Sequence, residues 1–135
     1  YISAFGEHVI GKEVESALQE AMEGTTIRVN EFTVAPQITP NQGLPFHEWF
    51  IEFENEPENI AQFALKIDQA MRKQNTYYDD LIVGNVLRTV VITKVAKNGF
   101  QEYMKSIGKL GGQNKIPRLS NDRKIADELG QWMIK

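Results

Sequence analysis

Lys115 lies in the stretch Gly108-Lys109-Leu110-Gly111-Gly112-Gln113-Asn114-Lys115-Ile116-Pro117-Arg118-Leu119-Ser120, with glycines behind it and a proline ahead. Glycine frees the backbone, while proline stiffens the exit and bars a helix. Such a segment can carry an ammonium group on a long stem into a neighbouring site and set it against an anion. The pattern is not a Walker phosphate loop. G-x-x-x-x-G-K-[ST] requires glycine directly before the lysine and a hydroxyl after it, whereas Asn114 and Ile116 flank Lys115. The G-x-G-x-x-G dinucleotide fingerprint is absent too. A functional Lys115 and a plain surface lysine both fit this local pattern.

The other residues that could do chemistry offer less. His8 and His47 are the only histidines, and neither has a second ligand type at metal spacing, so no zinc site is expected. No serine or cysteine stands in an elbow such as G-x-S-x-G, and a hydrolytic triad is unsupported. Cysteine is absent, which removes disulfides and thiolate sites and suits a reducing compartment. Asp79-Asp80 read as turn and solvent residues. The net charge of −3 argues against a nucleic-acid footprint over the whole surface. Charge is nevertheless uneven. Residues 105–124 hold six basic residues and one acid, Asp122, whereas residues 48–58 hold five glutamates and no lysine or arginine. A local anion partner and a merely solvated positive face both fit that split.

Periodicity gives the elements that must position these groups. Val14, Ala17, Leu18, Ala21 and Met22 fall on one helical face, closed by Gly24. Residues 26–35 (TIRVNEFTVA) read as a strand ended by Pro36. Residues 46–54 read as a second, antiparallel strand, with Trp49, Ile51 and Phe53 on one face and Phe50, Glu52 and Glu54 on the other. Pro57 suits the first turn of a long helix over about 57–74. Residues 75–84 are ambiguous. A strand over 86–95, a short helix over 100–107 and a last helix over 125–133, capped by Ser120 or Asn121, complete the chain. With residues 1–5 counted as a strand, the order through residue 95 is β-α-β-β-α-β. The expected class is α+β: a small βαββαβ (ferredoxin-like, split βαβ) sheet with helices packed on one face, plus a C-terminal helix–glycine loop–helix extension. The 135 residues are read as one domain. No apolar run approaches the roughly 20 residues of a membrane span, so no membrane partner is expected.

The opening residues 1–15, YISAFGEHVIGKEVE, run a strand into a turn that requires Gly6 and then into a helix. Ser3-Ala4-Phe5-Gly6-Glu7 followed by Glu13-Val14-Glu15 resembles the start of the small C-terminal domain of adenylate-forming enzymes, which include acyl-CoA synthetases, nonribosomal adenylation domains and firefly luciferases. The closer resemblance is to the acyl-acid amido synthetases first known from auxin-responsive plant genes (the Gretchen Hagen family) and to their bacterial relatives. Phe100-Gln101-Glu102-Tyr103-Met104, then Gly111-Gly112-Gln113-Asn114-Lys115-Ile116-Pro117-Arg118-Leu119-Ser120-Asn121-Asp122, is similar to that family's closing signature. Bacterial members share the Gly-Gly-Gln-x-Lys-x-Pro-Arg-Leu run. The resemblance extends over essentially the whole chain, with this signature as its sharp part. His8 departs from it, because many bacterial members have lysine there.

The resemblance implies that residues 1–135 are the mobile C-terminal lid domain of an adenylate-forming ligase, with its own large N-terminal adenylation domain as partner. A start at Tyr1, inside a segment read as a strand, gives the same expectation of a fragment. The implied activity is ATP-dependent ligation of a small-molecule carboxylic acid to an amino acid. Lys115 would be the catalytic lysine of the adenylation step, in a loop with few buried contacts. Gln113 and Arg118 would meet the nucleotide or its phosphates, although Arg118 equally could cap the loop and Gln113 could orient Lys115. The domain would rotate about a hinge at or just before Tyr1, with Gly6 and Glu7 in the hinge turn that follows. ATP and Mg²⁺ would be bound mainly by the N-terminal domain, with no metal ligand on this chain. The location would be cytoplasmic, and the fragment alone inactive. Two other readings stay open: a noncatalytic βαββαβ binding module, regulatory or RNA-directed, and an acyl-CoA-type ligase with a thiol acceptor.

Overall fold

Two ten-residue strands, β1 (Arg28–Gln37) and β2 (Phe46–Asn55), form the centre of the molecule. They pair antiparallel, with Phe32 opposite Ile51 and Val34 opposite Trp49. In the computed structural model, which describes residues 1–111 and 114–134, a short strand β3 (Val91–Lys94) pairs in parallel with β2, giving the order β1-β2-β3. The class is α+β, as the residue pattern predicts. Pro36 does not end β1, which runs on to Gln37. Val34 turns its N–H away from β2, towards Arg118. Pro36, two residues on, faces the same way, so its missing donor costs no rung with β2.

The expected βαββαβ order is not completed. Residues 1–5 do not join the sheet. Ile2 and Val9 instead exchange backbone hydrogen bonds of 2.9 and 2.7 Å, because positive φ values at Gly6 (85°) and His8 (45°) fold the segment back on itself. With no strand inserted between them, β2 and β3 are direct neighbours, so the βαβ unit is not split. The third strand is also shorter than the 86–95 predicted. Arg88 N–H goes to Pro45 O and Val90 N–H to Asp68 Oδ1, which leaves Val91–Lys94 for the ladder.

Helices pack on both faces of the sheet rather than on one. α1 (Gly11–Met22) and α2 (Ile60–Gln74) bury Leu18, Phe63 and Ile67 against the face that presents Val34, Trp49 and Ile51. α2 starts later than Pro57 because Asn59 Oδ1 accepts the N–H of Gln62. Asn75 repeats the device on Tyr78 N–H and starts α3 (Thr76–Val83), in the stretch left ambiguous by the sequence. On the reverse face lie α4 (Gly99–Ser106), α5 (Lys124–Glu128) and a 3-10 turn (Leu129–Trp132). α5 begins at Lys124, whose N–H is held by Asp122 rather than by a cap on Ser120 or Asn121. Phe100, Tyr103, Ala126 and Leu129 from these elements enclose Phe50 and Ala35 in a second core.

The C-terminal segment is therefore a second layer, not an extension. β2 explains why. Trp49, Ile51 and Phe53 feed one core while Phe50, fully buried on the other side, requires its own cover. The same segment lines both borders of the sheet: Leu119 bridges to Val34 beside β1, and Met133 bridges to Val95 just past β3. Among the described residues no helix is long and apolar enough to cross a membrane.

Candidate functional site

The glycine-rich segment leaves α4 through Gly108 and Gly111, at φ of 73° and 84°, a region open to glycine and strained for most side chains. Lys109 N–H returns to Met104 O at 2.8 Å, while the side chains of Lys109, Leu110, Asn114 and Lys115 are exposed. Gln113, expected to meet nucleotide, lies outside the described residues, as does Gly112. Among the described residues of the loop, only those up to Lys115 have few buried contacts. Beyond Lys115 the chain is anchored. Ile116 is buried in the second core, and Thr33 Oγ1 donates to Pro117 O at 2.6 Å. Val34 N–H donates to Arg118 O at 3.0 Å and Ser120 N–H to Val34 O at 2.9 Å, a parallel pairing on the outer side of β1. Lys115 stands immediately before this anchor.

The cations around Lys115 are used differently. Arg118 donates from Nη1 to Glu31 Oε1 and, at 2.9 Å, to Phe32 O, and from Nε to Glu15 Oε1 at 3.2 Å. Its guanidinium sits 4.7 Å from the centre of the Phe32 ring. Arg123 donates to Glu48 Oε1 at 2.7 Å and lies over Phe50. Among the described residues Lys105, Lys109, Lys115 and Lys124 make no ion pair. Lys115 borders a cleft of about 280 Å³ that also touches Asn30, Glu31, Glu52 and Asn98. Glu52 is 6% exposed and accepts the N–H groups of Asn98 (3.2 Å) and Phe100 (3.3 Å), holding the start of α4. A carboxylate there also faces the positive end of the helix. Strand alternation placed Glu52 on an outward face; only the second layer, unseen in the pattern, makes that face interior.

The Gly6–Glu7 turn serves a separate buried cluster. Glu7 Oε1 accepts Phe5 N–H at 2.7 Å, and Oε2 lies 2.7 Å from His47 Nε2. Burial pushes the Glu7 carboxyl up, but the bonds from His47 and from backbone N–H groups outweigh it and hold Glu7 below its ordinary value. The His47 ring leans on Tyr78, 5.2 Å between centres. Tyr78 donates to Asp68 Oδ1 at 2.5 Å, and Val90 N–H reaches the same oxygen at 3.1 Å. Here burial wins, raising Asp68 despite those two bonds. Burial and the adjoining carboxylate likewise raise Tyr78 well above an ordinary phenol. Asn75 Nδ2 closes the cluster on Glu7 O at 3.0 Å. His8 is exposed, with its ring against Tyr1.

Lys115 and Arg118 thus share one border of the sheet. Glu7 meets the sheet at His47, opposite Pro36, whereas Arg118 meets it at Glu31, towards the other end of β1. Sequence reasoning gave neither Asp68 nor Tyr78 a role in a site; the one signal for their cluster was a histidine beside Phe46 at the start of β2. Among the described residues no three or more histidine, aspartate or glutamate side chains converge as a metal site.

A family model described as the GH3 family C-terminal domain matches residues 12–124. The chain belongs to the GH3 family. A search of curated proteins returns no match. Among solved structures, a GH3.15 acyl acid amido synthetase superposes on this GH3 domain with a TM-score of 0.65 at 17% sequence identity, over 92% of this chain and 24% of that one. AtGH3.15 acyl acid amido synthetase in complex with 2,4-DB gives 0.67 at 14% identity, over 91% and 24%. At such identities the likeness is one of fold. The GH3 domain described here spans about a quarter of the length of those two proteins.

Proposed function

We propose that this GH3 C-terminal domain belongs to a cytoplasmic, ATP-dependent acyl-acid amido synthetase and supplies its catalytic lysine, Lys115. In the first step a carboxylate oxygen of the acid attacks the α-phosphorus of ATP. The bond to the bridging oxygen breaks, leaving acyl-adenylate and pyrophosphate. In the second step the amine of an amino acid attacks the acyl carbon, AMP departs with the electron pair of the C–O bond, and the nitrogen loses a proton. The obstacle in the first step is charge, since one anion must approach another. An ammonium placed between acyl oxygen and α-phosphate relieves that repulsion and stabilises the charge spread over the transition state. Exclusion of water from the closed cleft strengthens the effect.

The observation that carries this reading is the contrast among the cations. Arg118 and Arg123 are already paired with carboxylates, whereas Lys115, like Lys105, Lys109 and Lys124, is exposed without an ion pair among the described residues, and of these four it alone adjoins the anchored segment 116–120. Such a side chain is available to an anion on another domain. A hydrated point charge on a flexible stem suits that task. Gln113, two residues earlier in the chain, is proposed to face the nucleotide. Rotation of the domain between the two steps is proposed to bend the chain ahead of Ile2. The Ile2–Val9 pairing and the Glu7–His47 contact tie the Gly6 turn to the domain body, so the turn rides with it. The 135-residue chain alone is expected to lack ligase activity.

The test is Lys115→Ala in the full-length protein. Acid-dependent exchange of pyrophosphate into ATP is expected to fall by about two orders of magnitude or more. Exchange at the wild-type rate would refute the assignment. Product analysis with amines and thiols as acceptors tells amide from thioester formation.

A further inference from the structure

We infer that Arg118 is a positioning residue: clamped by Glu31 and Glu15, it sets the backbone that presents Lys115, and it is not a phosphate ligand. The inference rests on the adenylation role proposed above for Lys115. The leading half of the loop, with glycines at positive φ, transmits little about where Lys115 sits. Its position is therefore inherited from the anchored side. Only Ile116 and Pro117 separate Lys115 from Arg118, and proline removes one of the backbone freedoms between them. Of the side chains that follow Lys115, Arg118 is the nearest that ties this segment to both α1 and β1.

Nε and Nη1 of the guanidinium are engaged where they stand. Its partners are a carboxylate on α1 (Glu15), a carboxylate on β1 (Glu31), the carbonyl of Phe32 and the face of the Phe32 ring. Glu31 is in turn held, since its Oε1 accepts Phe32 N–H at 3.1 Å. One positive charge between two negative ones leaves a net negative group, which repels phosphate. An arginine is required because its planar fork reaches two carboxylates on different elements while stacking on a ring, which an ammonium cannot do. Backbone pairing alone is thin here, one parallel bridge at Leu119 with a hydroxyl bond at Pro117. The side-chain clamp makes that bridge a defined mount.

The experiment measures acid-dependent pyrophosphate exchange in the full-length protein over a range of ATP concentrations, for Arg118→Met, Glu31→Gln, their double variant and Lys115→Ala. Both single variants are expected to lose about tenfold to a hundredfold in kcat, the scale for slight misplacement of a catalytic group. KM for ATP is expected to stay within about twofold, as for loss of a group that acts only in the transition state. The double variant should be no worse than either single one, because both break the same clamp. A rise in KM for ATP in Arg118→Met, with Glu31→Gln unchanged or tighter, would make Arg118 a phosphate ligand and overturn the inference. Normal exchange in Arg118→Met and Glu31→Gln while Lys115→Ala is inactive would overturn it and leave the role of Lys115 intact. Normal exchange in Lys115→Ala would remove the role of Lys115 first, and the inference with it. Should Arg118→Met fail to fold, Glu31→Gln alone decides, since it keeps the size of the side chain and removes only the charge.

Discussion

The carboxylate of Glu7 and the imidazole of His47 meet at 2.7 Å with side chains 0% and 2% exposed. They close the Gly6 turn onto the start of β2. Removing one partner from such a pair strands the other without water. Glu7→Ala is expected to cost about 3–5 kcal/mol in denaturant unfolding, and Glu7→Gln less, since it keeps an acceptor for Phe5 N–H. Because the fold holds Glu7 below its ordinary 4.5, its contribution is full above that value and is lost as pH falls through the lowered one. Unfolding midpoints taken from neutral to acid pH should show a shallower acid limb for Glu7→Gln. An unchanged limb would mean that the pair does not stabilise the fold through charge.

Asp68 runs the opposite way. Its folded-state value lies above the ordinary 3.8, so its favourable contribution is present below that value and lost as pH rises through the raised one. Asp68→Asn keeps an acceptor for Tyr78 O–H and Val90 N–H without a charge to bury. The stability of the variant relative to wild type should therefore improve as pH rises from below 3.8 through the raised value. A difference independent of pH would show that Asp68 ionises as freely in the fold as in the unfolded chain.

Gly99 opens α4 where a methyl group has no room. A Cβ there would stand 2.5 Å from Val95 Cγ1 and 3.1 Å from Trp132 Cβ. Alanine is the better helix former, yet Gly99→Ala is expected to destabilise by about 1–3 kcal/mol through overpacking. Thermal melts of the two proteins check it. Equal stability would mean that the Val95 and Trp132 side chains give way to the methyl group at no cost.

Much of the first layer was legible because it is local. The helical stripe from Val14 to Met22 and the alternation of Trp49, Ile51 and Phe53 each need only a few neighbouring residues to be recognised, and both formed where expected. Asn75 defeated the reading because capping competes with periodicity over a single residue. The first strand failed for a conformational reason, the two positive-φ residues that turn Ile2 onto Val9. The second layer was illegible for a different one. An alternating strand shows which residues face away from the first core but not what meets them.

The site divides in the same manner. Lys115 stood out from its own flanks. Arg118 was named, to meet phosphate or to cap the loop, but its carboxylate partners were not, because they lie 87 and 103 residues upstream and no short window relates them. Glu7 and His47 are 40 residues apart and equally hidden.

Leu119 and Met133 also bear on how the protein can be shortened. Strand borders with unpaired amides and carbonyls are templates on which other chains add. Here the polypeptide's own tail occupies a place beside each outer strand. A version truncated before residue 116 would shed both guards at once and bare Phe50 as well. It should precipitate or self-associate more readily than the 135-residue chain, a solubility cost that light scattering of the two would show.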